Sequence, residues 1–190
     1  MYFFLIPLLL GFTFNLASAF TTAFSLRWGE RRGSMISMIL RDVFGIPVWA
    51  IGIILAVRTK SSELFSATNG TNAAGWLLLI GGGIIIILAL TTIGTRAAKP
   101  LLRDTLVNYG IYAHIRHPIH SGVLLEFIGI FLMVPTITVA LACLIGIHWV
   151  LAQTKLEEID LLQRLPAYQD YMKSVPRFFP FLRRNKINIR

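Results

Sequence analysis

The chain has 190 residues, of which 55% are hydrophobic and 14% charged, with a formal net charge of +9. A soluble domain carries about 25% charged residues, so this deficit, concentrated in long uncharged runs, excludes an ordinary soluble fold. The length also leaves no room for a separate soluble catalytic domain, which places any chemistry at a membrane boundary. The basic excess suits loops that face anionic lipid on the cytoplasmic side. No aromatic-basic reading module is present, and nucleic acid is not an expected partner. Cys143, the single cysteine, rules out an intramolecular disulfide and reads as a small core residue.

A spanning helix needs about 20 mostly apolar residues, and five candidates follow in chain order. The first, Tyr2 to Leu26, has no charge. With no basic residue ahead of it and no clear cleavage site behind it, it is expected to be a retained transmembrane helix rather than a signal peptide. The second, Val43 to Val57, is short and extends back through Met35 to Leu40, past Arg41 and Asp42, which can pair near the interface. The third, Ala74 to Ile93, contains Gly81, Gly82 and Gly83, a run that serves either close helix packing or access for a cofactor. The fourth, Ile119 to Val134, and the fifth, Thr136 to Gln153, are separated only by Pro135 and its neighbours, so a tight antiparallel hairpin is expected. Backbone groups in lipid must be satisfied within the segment, which makes these runs helices. The stretch Ser61 to Asn72 reads as an external loop.

Of the 18 Lys and Arg residues, four fall between Arg27 and Arg41, two between Arg58 and Ala73, four between Gly94 and His120, and eight from Lys155 onward. Five crossings put sixteen of them on one side. The positive-inside rule then predicts an N-terminus outside and a C-terminus in the cytoplasm.

Two polar clusters fall on the predicted cytoplasmic side. In the first, His114, His117 and His120 lie within seven residues, around Arg116 and Pro118. Proline suits the first helical turn, where its missing N–H is not needed. Arg116 and His117 then precede a helix N-terminus, whose free N–H groups and partial positive charge suit a carboxylate or similar anion. The alternative is a basic anchor at the interface. No metal site is expected, because Pro118 interrupts any helix that would align the histidines and no cysteine pair assists. The second cluster, Lys155, Glu157, Glu158 and Asp160, ends the fifth helix. It is either a solvated helical face or a site for a cationic or hydroxyl-bearing ligand. The hairpin makes the two clusters neighbours. Glu126, two turns into the fourth helix, is a costly carboxylate in lipid. It is either functional or a paired structural residue, with His148 a candidate partner.

Gly110-x-Tyr112-x-x-x-Arg116-His117-Pro118-x-x-x-Gly122 resembles the signature of the isoprenylcysteine carboxyl methyltransferase and phospholipid methyltransferase group. The blocks Glu157-Glu158, Tyr168-x-x-Tyr171 and Val175-Pro176-Arg177-Phe178-x-Pro180 follow in matching order, so the resemblance covers roughly residues 93–181. It implies an S-adenosylmethionine-dependent membrane methyltransferase acting on a lipophilic small molecule that enters from the bilayer. It further implies a cofactor pocket lined by Gly110, Tyr112, Arg116, His117, Pro118, Tyr168 and Tyr171, with Glu157 and Glu158 opposite. The expected architecture is an all-α integral membrane protein, a single domain over residues 1–190. Residues 1–93 supply three transmembrane helices, and residues 94–190 a methyltransferase-like region with the hairpin and a cytosolic C-terminal segment.

The sequence departs from its relatives at three places. His120 stands where many relatives have Tyr, and Arg164-Leu165-Pro166 where Phe-Gly is common. Carboxyl methyltransferase relatives carry an Arg shortly before the acidic pair, and this chain offers Ala152, Gln153 and Lys155. Such an Arg would hold a substrate carboxylate through a bidentate fork, so its absence predicts an amine, thiol or phenol acceptor over a carboxylate. Where the nucleophile arrives protonated, Glu158, Glu157 or His120 is the candidate base, with Glu158 favoured. The rival readings are a nicotinamide-dependent membrane reductase of related architecture and a non-catalytic membrane scaffold.

Overall fold

Helices make up most of the computed structural model, which describes residues 2–94 and 105–180. The first apolar run does not form one helix. It breaks at Ala19 and Phe20 into α1 (Leu5–Ser18) and α2 (Thr21–Trp28), bent by 62°. Side chains explain the break. Ser18 Oγ donates to the Asn15 carbonyl at 2.6 Å, and Thr21 Oγ1 donates to the Ser18 carbonyl at 3.4 Å. Such local bonds offer the backbone an alternative to continuing the helix. The free Thr22 N–H at the start of α2 is capped from far along the chain by Asp160 Oδ1 at 2.8 Å.

Gly29, at φ +85°, turns the chain into α3 (Glu30–Met38), and α2 and α3 pack so closely that a Cβ on Gly33 would lie 2.4 Å from the Ser25 nitrogen. A π-helical segment, Ile39–Gly45, joins α3 to α4 (Ile46–Arg58), and the three form one run of 29 residues. Pro47 accounts for the wider turn, since it has no N–H to donate and its ring displaces the carbonyl four residues back. Arg41 and Asp42 pair as the sequence predicts, with Nε to Oδ1 at 2.7 Å.

The loop after α4 is tied to the hairpin turn. Leu64 N–H donates to the Pro135 carbonyl at 2.7 Å, Ile137 N–H donates to the Ser62 carbonyl at 3.0 Å, and Glu63 and Thr136 form an antiparallel bridge. A capping box between Thr68 and Thr71 then starts α5 (Asn69–Ile93).

Three contacts position the C-terminal half. Helix α5 lies against α6 (Pro118–Met133) through two glycine pairs, Gly75 with Gly129 and Gly82 with Gly122. A Cβ on Gly82 would meet the Gly122 carbonyl at 2.6 Å, and one on Gly122 would meet the Gly82 carbonyl at the same distance. This is backbone against backbone, the mode by which small residues drive helix association in lipid. In the Gly81–Gly83 run, Gly82 alone makes that contact, and a Cβ on Gly81 or Gly83 would meet nothing within 4 Å. The long α7 (Ile137–Arg164) completes the hairpin, and Gly146 admits the Phe127 ring. Beneath it, Phe12 stacks on Trp149 with centroids 4.7 Å apart, while Trp49 meets Phe127 edge-on at 6.1 Å. The Asn15 amide, with its oxygen toward the donors, accepts from Trp49 Nε1 at 3.1 Å.

Among the described residues, three helical runs are long and apolar enough to cross a membrane: Glu30–Arg58, Asn69–Ile93 and Ile137–Arg164. The bent α1–α2 pair raises the count to four if it is one span, and α6 has 16 residues. The five expected crossings therefore correspond to three runs of spanning length, one bent pair and one short helix. Arg96, Lys99, Arg103 and the basic residues after Pro180 lie outside the described residues.

The glycine contact is directly testable. Gly82→Ala is expected to destabilise the protein by roughly 1–3 kcal/mol, as overpacking of a close contact does. Gly81→Ala is expected to stay within about 0.5 kcal/mol. Unfolding of both variants in detergent micelles measures the difference, and equal stability would mean that α5 presents another face to α6.

Candidate active site

The hairpin brings both polar clusters to one end of the molecule. Gly110, at φ +58°, opens a 3-10 turn (Gly110–Ala113) and packs on Thr92 of α5. Tyr112 is buried on that turn, and its carbonyl accepts from Tyr171 Oη at 2.6 Å. Pro118 takes the first turn of α6, as its missing N–H predicts, and leaves Arg116 and His117 just ahead of the helix.

Glu158 is the hub. Its Oε1 receives Arg116 Nη2 at 3.1 Å, His117 Nε2 at 3.2 Å and Arg177 Nε at 3.1 Å, while Arg177 Nη2 bonds its Oε2. The side chain is 5% exposed. Glu157, one residue earlier, is 30% exposed. Its Oε2 faces His117 Nδ1 at 3.5 Å, and its Oε1 accepts from Gln153 Nε2 at 2.9 Å and lies 3.8 Å from His120 Nε2. His117 is thus held between two carboxylates, one on each ring nitrogen.

Both acids are stabilised as carboxylates, Glu158 by Arg116, His117 and Arg177, and Glu157 by Gln153, His117 and His120. Glu157 is the member of the pair with a face still open.

A strap, residues 175–178, closes the cluster from the C-terminal side after the short α8 (Tyr168–Ser174). Arg116 N–H donates to the Pro176 carbonyl at 2.9 Å, His117 N–H to the Arg177 carbonyl at 3.0 Å, and Ser121 Oγ to the Phe178 carbonyl at 2.8 Å. Both backbone N–H groups lie ahead of α6, so the strap closes the approach to the helix. Arg116 Nη1 donates to the Met172 carbonyl at 2.9 Å, whereas Arg116 Nε is buried without a partner. Tyr168 Oη is also buried and unpartnered, beside Tyr171 with ring centroids 5.6 Å apart.

Burial works to lower the pKa of His117, but hydrogen bonds and charge from Glu157 and Glu158 more than offset it and raise the pKa above the usual histidine value. Burial pushes the phenols of Tyr112, Tyr168 and Tyr171 up, so all three stay neutral donors.

Other expected residues fall elsewhere. His114 is exposed on its turn, outside the cluster. A different set, His117, His120 and Glu157, brings its potential ligand atoms within 4.8 Å of one another. His148 is exposed, and its Nδ1 bonds the Leu144 carbonyl of its own helix at 2.8 Å. Glu126 instead lies against α5, with its Cγ 3.0 Å from where a Cβ on Gly82 would be. The proposed Glu126–His148 pair does not form. Among Ala152, Gln153 and Lys155, only Gln153 turns inward. Sequence reasoning gave no role to Arg177, although it sits in the Val175–Pro180 block, where a buried carboxylate in need of cations was the available signal.

Apolar helices of spanning length, with a buried ion cluster where the start of α6 meets the end of α7, define a membrane protein with a candidate site among the described residues. A family model for phospholipid methyltransferases matches residues 71–168, more than half of the chain, and the chain belongs to that family. The match takes in Arg116, His117, Glu157 and Glu158. Members are membrane methyltransferases of a class that normally uses S-adenosylmethionine. No curated protein and no solved structure matches the chain.

The hub has a measurable signature. His117 has a raised folded pKa, so its contribution to stability is full below about pH 6.5, the unfolded value. It is lost as pH rises through the folded pKa. Wild-type stability is expected to fall across that interval above pH 6.5. Glu158→Gln is expected to cost about 3 kcal/mol, because it leaves buried cations uncompensated, and to flatten the pH dependence. Unfolding in micelles across pH measures both, and a Glu158→Gln variant as stable as wild type would remove Glu158 as the hub.

Proposed function

We propose that the protein transfers a methyl group from S-adenosylmethionine to a lipophilic small molecule at the cytoplasmic membrane surface. The observation that carries this reading is the pair of buried orphans, Arg116 Nε and Tyr168 Oη, beside a Glu157 carboxylate with an open face. Buried polar groups are rarely left unpaired, and these ask for an acceptor and a cation in one place. The amino-acid end of S-adenosylmethionine offers both. Its carboxylate suits Arg116, with the charge of His117 behind it, and its ammonium suits Glu157. Tyr112, Tyr168, Tyr171, Gly110 and Pro118 form the surrounding wall and turn.

When bound, the cofactor supplies a methyl group already activated on a sulfonium. The chain then has to align the reactants and exclude water. The apolar core around Phe12, Trp49 and Trp149 supports entry of the acceptor from the bilayer. His120 is the base in this reading, taking a proton from the acceptor, while Glu157 faces the ammonium. The basic loops support a cytoplasmic C-terminus and an external N-terminus, an orientation that a C-terminal reporter active only outside the cell would overturn.

Wild-type protein is expected to bind S-adenosylmethionine and not NADPH. Arg116→Ala and His117→Ala are each expected to weaken that binding about tenfold or more, the loss of one charge-assisted hydrogen bond. Equilibrium binding to purified, folded variants tests this, and unchanged affinity in both would place the cofactor elsewhere.

A further inference from the structure

Gln153 and Trp149 lie one turn apart on α7, and each buries a polar atom with no partner. Gln153 is 2% exposed and Trp149 7%. Gln153 Nε2 donates to Glu157 Oε1 at 2.9 Å, and a carboxylate can only accept, so this bond fixes the orientation of the amide. Gln153 Oε1 is then left as an acceptor without a donor, and Trp149 Nε1 as a donor without an acceptor. Both side chains border His120. Its ring centroid lies 5.9 Å from that of Trp149, and its Nε2 lies 3.8 Å from Glu157 Oε1, the oxygen that Gln153 holds. Phe12, stacked on Trp149, makes the adjoining wall apolar.

We infer, resting on the methyltransferase reading, that Trp149 and Gln153 form the methyl-acceptor subsite and select a neutral hydroxyl on a lipophilic molecule. Residues four apart share one face of a helix, so a single hydroxyl oxygen there can accept from Trp149 and donate to Gln153. The alternatives each leave something unmet. A carboxylate would set its lone pairs against Gln153 Oε1 and the Glu157 charge. Beside the Glu157 carboxylate an amine is held as its ammonium, which has no lone pair for the Trp149 N–H. A thiol makes only weak hydrogen bonds. In the transfer, the acceptor oxygen forms its bond to the methyl carbon as the S–CH3 bond breaks. The bonding pair stays on sulfur, and the hydroxyl proton leaves its hydrogen bond to Gln153 Oε1 and passes to the neighbouring His120 imidazole.

Three probes of one shape and different polarity test the subsite: 4-dodecylphenol, its methyl ether 4-dodecylanisole, and 4-dodecylbenzoate. Their affinities for the full-length protein in detergent micelles are read by calorimetry. Wild type is expected to bind the phenol about tenfold tighter than the other two, since only the phenol satisfies both orphans. Gln153→Met, close in shape but without the acceptor, should bring phenol and anisole within about twofold, and Gln153→Arg should make the benzoate the tightest ligand. Trp149→Phe removes the donor and should weaken the anisole along with the phenol, because both present an acceptor oxygen. Equal wild-type affinity for the three probes, or a phenol preference that survives Gln153→Met, overturns the subsite. Binding of S-adenosylmethionine to wild type is measured separately. If it fails while the phenol preference holds, the methyltransferase reading falls and the hydroxyl subsite stands.

Discussion

A carboxylate taken out of water is tolerated only when its lone pairs are filled, and Glu158 shows what filling them requires. Its cations come from two other parts of the chain, Arg116 and His117 from the approach to α6 and Arg177 from the strap. None of the three parts has much freedom once that carboxylate is buried. Arg116 must stand where its second nitrogen also reaches the Met172 carbonyl, and the strap must pass close enough to accept backbone N–H groups from residues 116 and 117. The end of α7, the start of α6 and the strap are thereby joined at one point, and α8 is tied in through Met172. The open face of Glu157 is a consequence, since it shares the same turn but not the same donors.

The membrane-embedded part delivers these groups to that point. Lipid gives no hydrophobic drive to helix association, so close packing must supply it, and the Gly82–Gly122 contact does so with no side chain between the backbones. The contact sets the height of α6 against α5, and with it the position of residues 110–117. At the opposite end, the bridge between Glu63 and Thr136 holds the hairpin turn to the loop after α4. On the N-terminal side, Asp160 caps α2 through Thr22 while it also accepts from Arg164 Nε at 3.0 Å. The acidic turn of α7 therefore supports the site with one residue and the N-terminal fold with another.

The parts legible in the sequence were those fixed by local chemistry. Pro135 leaves so few residues between two apolar runs that the hairpin follows from chain length, and with it the meeting of the two polar clusters. Arg41 and Asp42 are adjacent, so their pairing needed no knowledge of the fold. The parts that were not legible depend on partners remote in sequence. The bend at Ala19 is stabilised by Asp160, which lies on the last long helix, and no window around the first apolar run contains that information. The Gly81–Gly83 run is uniform in sequence, and which glycine touches α6 depends on helix rotation. Glu157 and Glu158 are chemically identical, and their roles diverge because Arg116 and Arg177 both reach Glu158, the second from a strap whose path sequence does not give. The same holds for Gln153, which read as a missing arginine until its amide was seen to hold Glu157 and leave an acceptor free.

Charge balance carries the argument one step further. Arg116 and Arg177 offset the two carboxylates, and His117, its pKa raised by both acids, makes the cluster positive whenever it is protonated. A ligand with a carboxylate is drawn to it, but on the proposed function that ligand also brings an ammonium and a sulfonium. Those two positive charges need a region of the site that is not already dominated by guanidinium groups. Neutralisation of Glu158 by its own cations leaves Glu157 as the one negative group with room beside it, on the side of His120 and Gln153, away from Arg177. The saturated acid therefore confines the cations to one side of the cluster. The partly exposed acid then faces the side where a positively charged methyl donor and a neutral acceptor can approach each other.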